Sequence, residues 1–169
     1  MSDAATIMKM LKENEINYVD LRFTDPRGKM QHVTQHIETI DEDSLAEGFM
    51  FDGSSIAGWK AINESDMNLM PDLSRVYVDP FFAQPTLAIF CDVLEPSTGE
   101  NYSRDPRSTA KAALSHMESL GIADTAFFGP EAEFFLFDDV KYDASMNRGY
   151  YEVDSVEGPY NTARDFEEG

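Results

Sequence analysis

Eleven consecutive residues, Phe127-Phe128-Gly129-Pro130-Glu131-Ala132-Glu133-Phe134-Phe135-Leu136-Phe137, set five phenylalanines around a Glu-Ala-Glu step. The pattern predicts a β-strand. Residues two apart in a strand share a face, so Glu131 and Glu133 project together, with Cα atoms about 6–7 Å apart. Phe127, Phe135 and Phe137 share their face, and Phe128, Ala132, Phe134 and Leu136 line the other. Two adjacent carboxylates on a largely buried strand repel each other and lose hydration. Shared protons, arginines or metal cations are the available compensations.

The segment must be covered on both faces, which bears on how much chain surrounds it. The chain has 169 residues, enough for one domain or a small domain plus part of another. Hydrophobic content of 42% and charged content of 27% support a packed core. The formal net charge of −19, from 32 acidic and 13 basic residues, argues against nucleic-acid or anionic-membrane partners, which select a basic footprint. Cys91 is the sole cysteine, so no intramolecular disulfide forms. It sits in the apolar run Leu87–Cys91 and reads as a small buried hydrophobe. The N-terminus lacks a continuous apolar signal region, and no apolar run approaches the roughly 20 residues of a membrane span. The expectation is a cytoplasmic protein.

Ala4, Ile7, Met8 and Leu11 follow helical spacing and predict a helix over residues 4–13, capped by Ser2 or Asp3. From Ile16 to Phe23 the period switches to two. Asp25-Pro26-Arg27-Gly28 fits a type I turn, and Lys29–His36 returns, giving a hairpin. A weak helix is expected near residues 42–46. Residues 48–68, punctuated by Gly48, Gly53 and Gly58, read as a long ordered loop of the kind that carries function. Strands are expected at 67–70, 75–78 and 86–93. Asp105-Pro106 starts a helix with a buried stripe of Ala110, Ala113, Leu114 and Met117, ending at Gly121. The aromatic strand follows, then a polar tail from Tyr142. The first 103 residues thus form a small α+β domain, and residues 104–169 an incomplete second one. One helix and one hairpin cannot bury residues 127–137 on both faces, so further chain or a partner is expected there.

Three candidate chemistries emerge. Glu131 and Glu133 suit hard divalent cations, which prefer carboxylate oxygens, but Glu-x-Glu is common on ordinary polar strand faces. Phe51-Asp52-Gly53-Ser54-Ser55-Ile56 places a carboxylate beside a glycine and two hydroxyls. That is either a small polar pocket or a turn, and on its own it favours the turn. His32, His36 and His116 form no cluster at metal-ligand spacing and read as surface or packing residues. Trp59 reads as an anchor for the long loop. Neither a phosphate loop nor a dinucleotide fingerprint is present.

Phe51–Ile56, followed by Gly58-Trp59 and Asn63-Glu64-Ser65-Asp66-Met67, resembles the N-terminal signature of type I bacterial glutamine synthetases. Gly129–Phe137 is similar to that family's first active-site strand, and Asp154-Ser155 with Arg164-Asp165 is consistent with a bacterial form. The resemblance runs the whole length of the chain. It implies a β-grasp, ubiquitin-like N-terminal domain followed by the start of the catalytic α+β domain. It implies ATP-dependent ligation of L-glutamate and ammonia through γ-glutamyl phosphate, served by two Mg²⁺ or Mn²⁺ ions. By motif, Glu133 matches a ligand of the glutamate-side ion and Glu131 a ligand of the nucleotide-side ion. Asp52 matches the residue that binds ammonium and helps deprotonate it, and Ser55 lines the same pocket. In the family this loop completes the neighbouring subunit's active site within a dodecamer of two hexameric rings. The remaining metal ligands, the phosphate-binding arginines and most of the ATP site do not appear, so the 169-residue chain is expected to be inactive alone. Two other readings are a glutamate–polyamine ligase and a non-catalytic interaction module derived from the synthetase. The intact Asp-Gly-Ser-Ser loop favours ammonium over a polyamine.

Overall fold

Residues 3–160 are described by a computed structural model of the chain. They divide into two compact units, with the boundary between Ala126 and Phe127. Arg164 and Asp165, with the rest of residues 161–169, lie outside the described residues.

The first unit opens with α1 (Ala4–Glu13), capped by Asp3, whose carboxylate accepts from Thr6 N at 2.8 Å. Its spacing puts Ile7 and Leu11 on one face, both buried in the core. Strands β1 (Tyr18–Thr24) and β2 (Met30–His36) form the expected antiparallel hairpin, pairing Tyr18 with His36 and Thr24 with Met30. The turn between them is held by Asp25: its carbonyl accepts from Gly28 N at 2.9 Å, and its carboxylate from Arg27 N and Lys29 N, each at 2.9 Å. Gly28, at φ +82°, takes a conformation that side-chain-bearing residues rarely adopt. A short helix, α2 (Glu42–Glu47), follows with a capping box between Asp41 and Ser44.

Strands β3 (Phe49–Asp52), β4 (Asp66–Val78) and β5 (Thr86–Leu94) complete a five-stranded sheet in the order β2-β1-β5-β4-β3. β1 and β5 run parallel at its centre, and all other pairs are antiparallel. Two expectations need correction here. The loop over 48–68 is shorter than its glycine spacing indicates, because residues 49–52 pair with β4 as an edge strand. The two strands expected at 67–70 and 75–78 are one strand, with a bulge between Pro71 and Val76 where Asp72 caps a local turn by accepting from Ser74 N at 3.0 Å.

Alternation sorts the sheet's faces. Val19, Leu21 and Phe23 of β1 join Leu87, Ile89, Cys91 and Val93 of β5, and Met67 and Leu69 of β4, in a core shared with Ile7, Leu11, Ile40 and Leu45. Burying each such side chain contributes about 1.5–3 kcal/mol relative to exposure. Cys91 is buried as expected, and burial raises its thiol pKa far above the usual range. The opposite face carries Asp20, only 1% exposed, which accepts from Arg22 Nε at 2.8 Å and Thr34 Oγ1 at 2.7 Å and lies 2.7 Å from His32 Nδ1. Arg22 continues the network to Asp79 at 2.6 Å.

Helix α3 (Pro106–Ser119) starts where expected, with Pro106 at its first position. Its cap, Asp105, is fully buried and accepts from Ser108 N at 3.1 Å and Ser108 Oγ at 2.7 Å. Arg107 pairs with Asp92 of β5 at 2.7 Å and with Asp72. The expected apolar stripe is a correction: Ala110, Ala113 and Leu114 are exposed, Met117 is only partly covered, and Ser108 is the helix's buried residue. The helix is tied to the sheet through its first turns, by charge and capping rather than by that stripe.

The second unit contains a hairpin of β6 (Asp139–Ser145) and β7 (Arg148–Asp154), closed at its base by Asp138 N donating to Asp154 O at 2.8 Å. Among the described residues, no helix is long and apolar enough to cross a membrane.

Candidate functional site

The Asp-Gly-Ser-Ser loop leaves the end of edge strand β3. Asp52 is the strand's last residue, paired in register with Asp66 of β4. Its side chain is exposed and accepts from Ser54 N at 2.8 Å and Ser54 Oγ at 2.6 Å. It thereby caps a 3₁₀ turn over Gly53–Ser55. Of the two readings of the motif the structure shows the turn, which presents a carboxylate and the exposed Ser55 to solvent. The Ser54 hydroxyl and amide hold the Asp52 carboxyl below the usual aspartate pKa. A carboxylate stabilised this way binds a cation well and is a weaker proton acceptor than an ordinary aspartate.

Gly53 is the residue the geometry requires. Its N–H donates to Ser65 O at 2.7 Å, and a Cβ there would meet Met67 Cγ at 2.5 Å and Ser65 O at 3.0 Å. The two ends of the loop are therefore in backbone contact. Beyond them, Trp59 is buried between Phe23, Phe51 and Tyr102, with ring centroids 5.4, 6.0 and 5.4 Å away. It anchors the loop as its sequence position predicts. The returning arm borders an open cleft of ≈ 770 Å³ that includes Lys60, Glu64, Ser65, Asp66 and Glu95.

Residues 127–137 depart from expectation. They form no strand, and Glu131 and Glu133 are both exposed. Phe127, Phe128, Phe134, Phe135 and Leu136 stand in solvent, Phe127 at 93% exposure. The rings of Phe135 and Phe137, two residues apart, stack at 6.0 Å with 11° between planes. A strand is defined by its hydrogen-bonded neighbours, and among the described residues of its own unit this segment has no strand partner. The histidines match expectation: His32 faces Asp20, His36 packs edge-on to Tyr18 at 5.5 Å, and His116 is exposed. Neither the Asp20–Arg22–Asp79 network nor Arg104 stands out in the sequence. Alternating charges in Asp20-Leu21-Arg22 were the signal for the first.

Glu131 and Glu133 offer the donor chemistry of a hard divalent cation. Among the described residues, however, no group of three or more His, Cys, Asp or Glu side chains converges as a metal centre. Two glutamates alone fall short of the about six oxygens such an ion takes.

A mixed sheet with a central parallel pair, flanked by helices and ending in an acidic edge loop, defines a β-grasp domain. The sequence matches the family model described as glutamine synthetase, beta-Grasp domain, over residues 15–96, and glutamine synthetase, catalytic domain, over residues 103–168. It is 62% identical to a glutamine synthetase of Azospirillum brasilense over 100% of this chain and 36% of that protein. It is 57% identical to one of Rhizobium meliloti at the same coverage. A solved Plasmodium falciparum glutamine synthetase superposes with a TM-score of 0.70 at 26% identity, covering 91% of this chain and 30% of that one. The chain belongs to the glutamine synthetase family and corresponds to its N-terminal portion. It spans 36% of the length of the curated relatives it matches.

Proposed function

We propose that this chain supplies the β-grasp domain, residues 1–103, and the beginning of the catalytic domain, residues 104–169, of a cytoplasmic glutamate–ammonia ligase. The whole enzyme would join L-glutamate and ammonia at the expense of ATP, through γ-glutamyl phosphate. The observation that carries this reading is the Asp52 turn: an exposed carboxylate, held anionic by Ser54, at the edge of a β-grasp sheet, in a chain 62% identical over its 169 residues to a glutamine synthetase.

Asp52 would attract ammonium by charge, with Ser55 beside it. Because its pKa is lowered, its first contribution is binding, and it accepts a proton only as the bound cation is itself made more acidic. Glu131 and Glu133 would each contribute oxygens to a Mg²⁺ or Mn²⁺ ion, whose chemistry is to neutralise phosphate charge. Their exposure, and that of the phenylalanines around them, fits residues whose covering comes from elsewhere in a larger assembly. A homo-oligomer, a dodecamer by resemblance, would bring the Asp52 loop to a neighbouring subunit's site. Polyamine ligation is the second reading, and the compact Asp52–Ser55 turn favours a small cation over it.

The test is Asp52→Asn in the enzyme completed by joining this chain to the remainder of the Azospirillum brasilense relative. The KM for ammonium should rise at least about tenfold with the KM for glutamate within about twofold. Equal loss for both substrates would refute the assignment.

A further inference from the structure

The Asp52 turn is not held by its own strand alone. Ile56 N donates to Gly53 O at 3.1 Å, and Trp59 N donates to Ile56 O at 3.1 Å. These bonds run from the turn to residues 58–60, which lie outside any strand. The segment after β5 grips that arm at three places. Tyr102 packs edge-on to Trp59 at 5.4 Å, and Glu95 lies 2.6 Å from Lys60 Nζ. Arg104 Nη1 donates to Gly58 O at 2.6 Å and Trp59 O at 3.1 Å.

The third grip differs in kind. The first two hold side chains, which can turn about their own bonds without moving the backbone. Arg104 holds two successive carbonyls, and so fixes the peptide planes on either side of Trp59. Its guanidinium is a planar cation, which makes these bonds charge-assisted. Its own backbone lies between Tyr102, 5% exposed, and the fully buried Asp105. Tyr102 N donates to Val93 O at 2.8 Å, so the segment is fastened to β5. Arg104 is thus presented from a segment fastened to β5 to a loop that lies outside any strand. It also lies within the residues matched to the catalytic domain, whereas the loop it holds lies within those matched to the β-grasp domain.

We propose that Arg104 is the positioning residue for the Asp52–Ser55 turn. Through Trp59, Ile56 and Gly53 it sets where the cation-binding carboxylate stands. The proposal rests on the ammonium reading of Asp52 given above. Arg104 touches no substrate, and its effect is confined to the ammonium side of the reaction.

Two measurements test it. In this chain, Arg104→Met should speed amide exchange at Ile56 and Trp59 by at least about tenfold, leaving Leu21 and Ile89 unchanged. Arg104→Lys, which keeps one charged donor, should recover part of that protection. In the completed enzyme, Arg104→Met should raise the ammonium KM about fivefold with the glutamate KM within about twofold. Asp52→Asn is run alongside. If Asp52→Asn raises the ammonium KM and Arg104→Met does not, the positioning role is overturned while the ammonium site stands. If exchange at Ile56 and Trp59 is unchanged, the brace itself is refuted. If Asp52→Asn leaves the ammonium KM unchanged, the ammonium reading fails and takes the Arg104 role with it.

Discussion

Gly53→Ala is the sharpest single perturbation of the candidate site. The added methyl would stand 2.5 Å from Met67 Cγ and 3.0 Å from Ser65 O. Met67 of β4 is fully buried in the core, so displacing its Cγ disturbs packed neighbours. Ser65 O is held in place by its bond from Gly53 N. Overpacking of this kind costs about 1–3 kcal/mol. With an m-value of about 1–3 kcal/mol/M, the urea midpoint should fall by about 1 M. Trp59 reports it, being the chain's only tryptophan and buried in the same loop. Its emission should shift to the red on unfolding at the lower midpoint, with m unchanged. Gly129→Ala is the control, since a Cβ there meets nothing within 4 Å, and it should stay within about 0.5 kcal/mol. A Gly53→Ala midpoint within about 0.2 M of the parent would refute the close-approach argument.

Other outcomes follow from the same geometry. Asp105→Ala should lower stability by about 2 kcal/mol, because it removes the buried cap of α3 and leaves the Ser108 amide unpaired; thermal unfolding followed by circular dichroism checks this. Burial opposes ionisation of Asp20, but the bonds from Arg22, His32 and Thr34 prevail and its pKa lies below the ordinary value. Its contribution is therefore present above the unfolded aspartate pKa of about 3.9 and lost as pH falls through the lower folded value, and Asp20→Asn should flatten the acid limb of a stability–pH curve. Cys91 should resist alkylation in the folded chain and react only on unfolding, because burial raises its thiol pKa. Mn²⁺ titrated into this chain should bind only weakly, and Glu133→Gln should weaken it further; tight binding unaffected by that change would contradict the ligand assignment.

How much of this was legible in the sequence depended on where the determining interactions lie. The β1–β2 hairpin was readable because Asp25 and Gly28 set the turn locally and alternation set the faces. The α3 start was readable because Asp105 and Pro106 are adjacent. β3 was hidden because four residues carry too little period, and its strand character comes from pairing with β4. The join of β4 across Pro71–Val76 was hidden for the same reason, since a bulge is defined by the partner strand. The α3 stripe and residues 127–137 failed differently: their patterns are those of buried elements, and burial needs a partner surface that the described residues of their own units do not supply. At the candidate site, the motif singles out Asp52 and Ser55, and the structure shows both exposed on one turn. Arg104 was not, because its targets are backbone carbonyls 45 and 46 residues away, which no side-chain pattern marks.

The substrate requirement of the completed enzyme tests the central claim most directly. This chain, joined to the remainder of the Azospirillum brasilense relative and supplied with ATP and Mg²⁺, should release ADP only when L-glutamate and ammonium are both present, with glutamine formed in equal amount. Release that is indifferent to ammonium, or that is driven by a polyamine in its place, would contradict it.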